Sequence, residues 1–230
     1  LYADIPNDIK GKKLALKLDL GGEVLLFDQK LHPLFGLTNC SAHKDSYYKD
    51  LYILGPYYED MLSIYAEAAS NDLFGMKREE KKLSRDMPNP NGTWESRVGC
   101  AYIGIFNEAI WNLYIAVDYL FDLYKSMHYS ETRAVRIVSA LYESTCLYHT
   151  EGTIKAYEAL KDVLIAPASY SAVENLVVGH AHIDTAWLWP ISETHRKVAR
   201  TFASQINNIK RFPDYTFVAS SPQQYKWIKD

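Results

Sequence analysis

The apolar residues of this 230-residue chain change period along its length, and that change restricts the fold to a mixed one. Leu14, Leu16, Leu18 and Leu20 alternate with Ala15, Lys17 and Asp19, the period of a half-buried strand. Gly21-Gly22 and then "EVLLFD" predict a hairpin. "DLYILG" and "MLSIYAEAAS" predict further strands of the same sheet or sandwich, so residues of about 12 to 75 form an antiparallel β module. "SRDMPNPNGTWESR", residues 84–97, breaks every period and reads as a loop. From about residue 99 to 166 the period becomes helical. Phe106, Ile110, Leu113, Val117, Leu120 and Tyr124 mark one stripe. Ala134, Ile137, Leu141 and Tyr148 mark a second, and Ile154, Tyr157, Leu160 and Leu164 a third that Pro167 stops. These stripes predict helix–helix core.

At about residue 175 the pattern changes again. "ENLVVGHAHID" predicts a short buried strand. Ser192 reads as the N-cap of a helix striped by Val198, Phe202, Ile206 and Ile209. "YTFVAS" predicts a second strand, and Ser221-Pro222 opens another helix. The order β-α-β-α is the start of a parallel sheet or a β/α barrel. Ligands in such folds gather at the carboxyl ends of the strands, where Asp184 and Ser220-Ser221 fall. Three parts are therefore expected: a β-rich module over 1–97, a helical region over 98–170, and an incomplete β/α catalytic domain from 171 to 230.

Charge and composition remove several classes. The formal net charge is −3, and no basic stripe stands out, so nucleic acid is not an expected partner. No run of about 20 apolar residues marks a membrane span. Three cysteines, Cys40, Cys100 and Cys146, are widely spaced and form no C-x-x-C, which fits a reducing compartment and a cytoplasmic location. No secretory signal is visible, although the chain begins at Leu1. Two N-x-S/T sites, at Asn39 and Asn91, decide nothing at this pattern length. His32, His43 and His149 are isolated and read as surface or structural residues. The 18 tyrosines read mainly as half-buried packing, and they also permit carbohydrate contact.

The stretch "VVGHAHIDTAWLWP" carries the chemistry. In a strand, alternate residues share a face, so His180, His182 and Asp184 lie together with Ala181 and Ile183 opposite. On a helix the two histidines would point about 200° apart. An imidazole and a carboxylate converging at a strand end make a partial site for a divalent cation. The same residues also suit a histidine–aspartate hydrogen bond that only holds a loop. Trp187 reads either as packing or as the aromatic wall of a polar pocket.

"GHAHIDTAWLWPISETHRKVAR" resembles the start of the catalytic domain of family 38 glycoside hydrolases, the metal-dependent α-mannosidases, in their cytosolic, vacuolar and bacterial branch. The Golgi and lysosomal branch has Asn-Asp-Pro-Gly-Trp where this chain has Ile183, Asp184, Thr185, Ala186 and Trp187. "PDYTFVASSPQQYKWIK" is similar to the branch's second strand and helix, and "GGEVLLFD" and "YAEAASNDLFG" resemble its β-rich N-terminal region more weakly. The resemblance implies that His182 and Asp184 are the first two metal ligands and that Trp187 lines the subsite of the mannose being cleaved. It leaves His180 a supporting role beside the ligands, and none as ligands for Glu193 and Arg196. It implies a divalent ion, zinc first and cobalt or another ion next, and a retaining mechanism on α-mannoside oligosaccharides or glycans. The nucleophile, the acid/base and the remaining ligands then lie beyond Asp230, so the 230-residue chain is expected to be an inactive N-terminal fragment. A homo-oligomer is compatible with this reading. Two rivals stay open: another barrel metallohydrolase of amidohydrolase type, and a non-catalytic carbohydrate-binding or interaction module.

Overall fold

Strand β2 (Lys13–Asp19) buries Leu14, Leu16 and Leu18, as the alternation predicts. It lies at the centre of a three-stranded antiparallel sheet between β5 (Leu51–Pro56) and β8 (Cys100–Ile105). Strand β3 (Glu23–Phe27) is the centre of a second antiparallel sheet, between β4 (Pro33–Thr38) and β7 (Tyr65–Ala69). A short antiparallel pair joins β1 (Tyr2–Asp4) to β6 (Met61–Ser63). The computed structural model that shows this describes residues 1–38, 49–69, 98–168, 170–187 and 189–229. The expected loop over 84–97, His43, Cys40 and both N-x-S/T sites lie outside the described residues.

The hairpin expected at Gly21-Gly22 is not formed. β2 and β3 do not pair with each other; each is the middle strand of a different sheet. Asp19 accepts a hydrogen bond from the Gly21 amide at 2.8 Å, and Gly21 takes a φ of 79°, so the chain turns sharply and crosses between layers. Leu14, Leu16 and Leu18 from one sheet then share a core with Val24, Leu26 and Leu37 from the other. That arrangement is a sandwich, with two inner faces interdigitated.

The helical reading also begins too early. Cys100–Ile105 is a strand that completes the β2 sheet; its β-formers Tyr102, Ile103 and Ile105 suit an antiparallel edge paired with Leu14–Asp19. Helix α1 (Glu108–Lys125) starts at the Asn107 cap, whose side chain accepts from the Ile110 amide. α2 (Thr132–Thr150), α3 (Thr153–Glu158) and α4 (Lys161–Leu164) follow. Their shared core is Leu113, Ala116, Leu120, Ile137, Ala156 and Leu160. Ile110, Val117, Tyr148 and Ile154, which the stripes assigned to that core, are exposed. Small residues, Ala116, Ala140 and Ala156, take the close-contact positions instead, and hydropathy periods undercount alanine.

The last segment holds one β-α-β-α run. β9 (Gly179–Ala181) pairs in parallel with β10 (Phe217–Ala219), and α5 (Ile191–Arg211) makes the crossover; α6 (Pro222–Lys229) follows β10. The strand is shorter and less buried than its sequence predicts: Leu176 and Val177 are almost fully exposed, and His182 and Asp184 lie just past the strand end. α5 starts at Ile191 with Pro190 as its N-cap and no side-chain cap bond, so Ser192 is inside the helix and not its cap. By contacts the chain forms two compact units, 1–106 with 176–230, and 107–175. The described structure is thus mixed, with antiparallel sheets and several helices; two parallel strands are too few to close a barrel. Among the described residues no helix is long and apolar enough to cross a membrane.

Candidate functional site

The site begins where β9 runs out. His182 Nε2 donates to Asp184 Oδ1 at 3.1 Å, and this is the one side-chain hydrogen bond that either makes among the described residues. The two side chains are 74% and 41% exposed, so neither is a core group satisfying itself in the interior. His180 makes no hydrogen bond to either among the described residues and is exposed, so the three-residue face read from strand alternation contracts to a pair. The alternation stops because the strand ends at Ala181.

Ala186 sits in the left-handed region with a φ of 60°, a conformation costly for a residue with a Cβ. It turns the chain so that Trp187 stands next to the His182–Asp184 pair. Trp187 and Trp189 meet edge to face, with centroids 5.6 Å apart. Lys197 on α5 places Nζ 4.6 Å over the Trp189 ring. A cavity of about 390 Å³ opens between His182, Asp184, Trp187 and Trp189 on one side and Lys197 and Glu23 on the other. That volume suits a small polar ligand with one apolar face.

The far wall comes from the β module, which sequence reading did not connect to the site. Val24 and Leu26 turn into the sandwich core, so Glu23 and Leu25 turn outward, toward α5. Glu23 Oε2 accepts from Lys197 Nζ at 2.7 Å and from Arg200 Nη2 at 2.8 Å, and Arg200 Nη2 also reaches Glu193 Oε1 at 2.7 Å. Arg196 links Glu67 on β7 to Glu193. The signal was present as a polar stripe at Glu193, Lys197, Arg200 and Ser204, spacing i, i+4, i+7 and i+11, but polar stripes usually face water. Glu193 and Arg196, which carried no assigned role, are ion-pair partners here.

Once His182 Nε2 gives up its proton, it and Asp184 Oδ1 fit as two donors to a divalent ion. Ligands about 2.0–2.2 Å from a tetrahedral ion stand about 3.3–3.6 Å from each other, a little more than the 3.1 Å found, so a small spreading of the pair would admit the ion. Nitrogen and carboxylate donors suit zinc or cobalt. Among the described residues no group of three His, Cys, Asp or Glu residues could hold an ion, so this pair is a partial set.

Residues 172–230, which carry this geometry, match the glycosyl hydrolases family 38 N-terminal domain, and residues 1–97 match the α-mannosidase jelly roll domain. Both matched segments are thus similar to parts of family 38 α-mannosidases. It is similar to "Alpha-mannosidase 2C1" of Homo sapiens, 27% identical over 98% of this chain and 21% of that protein. It is similar to "Alpha-mannosidase G" of Dictyostelium discoideum, 28% identical over 72% of this chain and 15% of that protein. A segment of 51 residues is 57% identical to "Alpha-mannosidase" of Saccharomyces cerevisiae, covering 22% of this chain and 5% of that protein. The chain thus spans about a fifth or less of the curated relatives it matches. The jelly roll match agrees with the antiparallel sandwich described above.

Proposed function

We propose that this chain provides part of the active site of a retaining, metal-dependent α-mannosidase that removes terminal α-linked mannose from oligosaccharides. The observation that carries the reading is the His182–Asp184 pair at the end of β9, beside Trp187 and a cavity of about 390 Å³, inside the segment that matches family 38. In this reading His182 and Asp184 hold the ion, zinc first and cobalt next. Trp187 packs against the apolar face of the mannose ring, and His180 supports the ligand strand. When bound, the metal would act as template and Lewis acid toward sugar hydroxyls.

Retention needs two carboxyl groups about 5–5.5 Å apart, one as nucleophile and one as acid/base. The resemblance puts neither within residues 1–230. Residues 1–97 then serve as the β module, 98–170 as a helical region and 171–230 as the start of a β/α barrel-like catalytic domain. The glycan is the expected partner, with neither nucleic acid nor membrane involved, and a cytoplasmic location suits the cysteine usage.

The test uses the full-length protein and an aryl α-mannoside. Chelation should remove turnover and zinc or cobalt should restore it, while His182→Ala and Asp184→Ala should each abolish it. Full turnover in either variant would refute the ligand assignment. Metal-dependent turnover by the purified 230-residue chain would refute the placement of the catalytic carboxylates outside it.

A further inference from the structure

Asp184 is held from behind by two side chains on two different helices. Gln224 on α6 donates from Nε2 to the Ile183 carbonyl at 2.7 Å. Thr194 on α5 donates from Oγ1 to the next carbonyl, that of Asp184, at 3.2 Å. The same hydroxyl accepts from the Ala186 amide and from Trp189 Nε1, each at 3.0 Å. One hydrogen and two lone pairs are all in use. Thr194 is fully buried and Gln224 is 1% exposed.

These bonds do not serve the helices that carry them. Thr194 lies in the first turn of α5, where a capping threonine would sit at the N-cap and bond its own helix; here the N-cap is Pro190, and every partner of the Thr194 hydroxyl lies in residues 184–189. Gln224 keeps Oε1 buried without a hydrogen-bond partner, a cost that an apolar residue of similar volume would avoid. In contrast, the His182 and Asp184 side chains are exposed and hydrogen-bond to each other, so side-chain packing does little to orient them.

We infer that Thr194 and Gln224 are positioning residues: they pin the carbonyls of residues 183 and 184 and so set the direction of the Asp184 carboxylate and the strained Ala186 turn before Trp187. The inference rests on the metal-site reading above. Clamps of this kind behind a ligand typically change metal affinity 10–100-fold when removed.

The experiment compares Thr194→Val, Thr194→Ser and Gln224→Met in the full-length protein. Zinc affinity is measured by competition with a chromogenic chelator, and amide hydrogen exchange is followed at Ala186 and along α5. Thr194→Val and Gln224→Met should each weaken zinc binding by about 10–100-fold, with Thr194→Ser near wild type. Thr194→Val should also lose protection at the Ala186 amide while α5 stays protected, and Thr194→Ser should keep both. Wild-type zinc affinity in Thr194→Val and Gln224→Met, or equal losses in Thr194→Ser and Thr194→Val, would overturn the inference. If His182→Ala leaves zinc affinity unchanged, the metal reading fails by itself. The clamp is then decided by Ala186 exchange: lost in Thr194→Val supports it, unchanged refutes it.

Discussion

Arg200 on α5 and Glu23 on β3 meet at 2.8 Å between the crossover helix and the β sandwich, 177 residues apart in sequence. The Arg200 side chain is 6% exposed, and its second carboxylate partner, Glu193, is equally buried. The pair therefore joins the jelly roll module to the segment that carries His182 and Asp184. It does so at the wall of the same cavity.

Breaking that pair should be expensive. Arg200→Ala leaves the buried Glu193 and the half-buried Glu23 each short of one cation and should cost about 2–4 kcal/mol, whereas Arg200→Met, which fills the space without charge, should cost less when paired with Glu23→Gln. Urea denaturation of the single and double variants reads the difference. Equal and small losses in all of them would show the cluster to be a solvated surface network.

Gly36 should tolerate no side chain. It lies on β4 against α5, and a Cβ there would stand 2.8 Å from the Arg200 carbonyl oxygen and 3.1 Å from Ser204 Oγ. Its amide donates to that Oγ at 3.0 Å, so the helix cannot simply back away. Gly36→Ala should destabilise by about 1–3 kcal/mol through overpacking. Thermal melting of the variant checks this, and an unchanged midpoint would mean that the helix shifts freely.

Lys49 gives the same seam a pH dependence. Its ammonium donates to Ser204 Oγ at 2.7 Å and lies 4.5 Å from the Phe35 ring centroid. Burial pushes its pKa from 10.5 down to about 8. The folded state thus binds fewer protons than the unfolded state between about pH 8 and 10.5, and stability contributed here rises with pH across that window. Below about pH 8 the full penalty is present, at most about 3 kcal/mol and less for a group that keeps some water contact. Denaturation of wild type and Lys49→Met at pH 7.5 and 9.5 should show a gap that narrows at the higher pH. A gap independent of pH would refute it.

Trp187 separates ligand contact from packing. It is 57% exposed, so Trp187→Ala should change stability by less than about 1 kcal/mol. If the ring supports a bound mannose, kcat/KM on an aryl α-mannoside should fall about tenfold or more. A loss of stability without a kinetic change would make it a packing residue beside Trp189.

Local pattern alone determined the β-rich start, the helices near 108–164, the β-α-β-α order after residue 175 and the His182–Asp184 pair. These depend on periods of two and 3.6 and on short spacings, which are written in neighbouring residues. Tertiary structure decided what neighbours cannot encode. Leu14 and Val24 looked like two arms of one hairpin, yet they belong to opposing sheets, because strand pairing is a long-range choice and a glycine turn permits either outcome. Cys100–Ile105 joined β2 for the same reason. Thr194, Arg200 and Gln224 are ordinary polar residues in the sequence; only docking of α5 and α6 buries them, and burial is what turns a hydroxyl, an amide and a charge into fixed partners of the site.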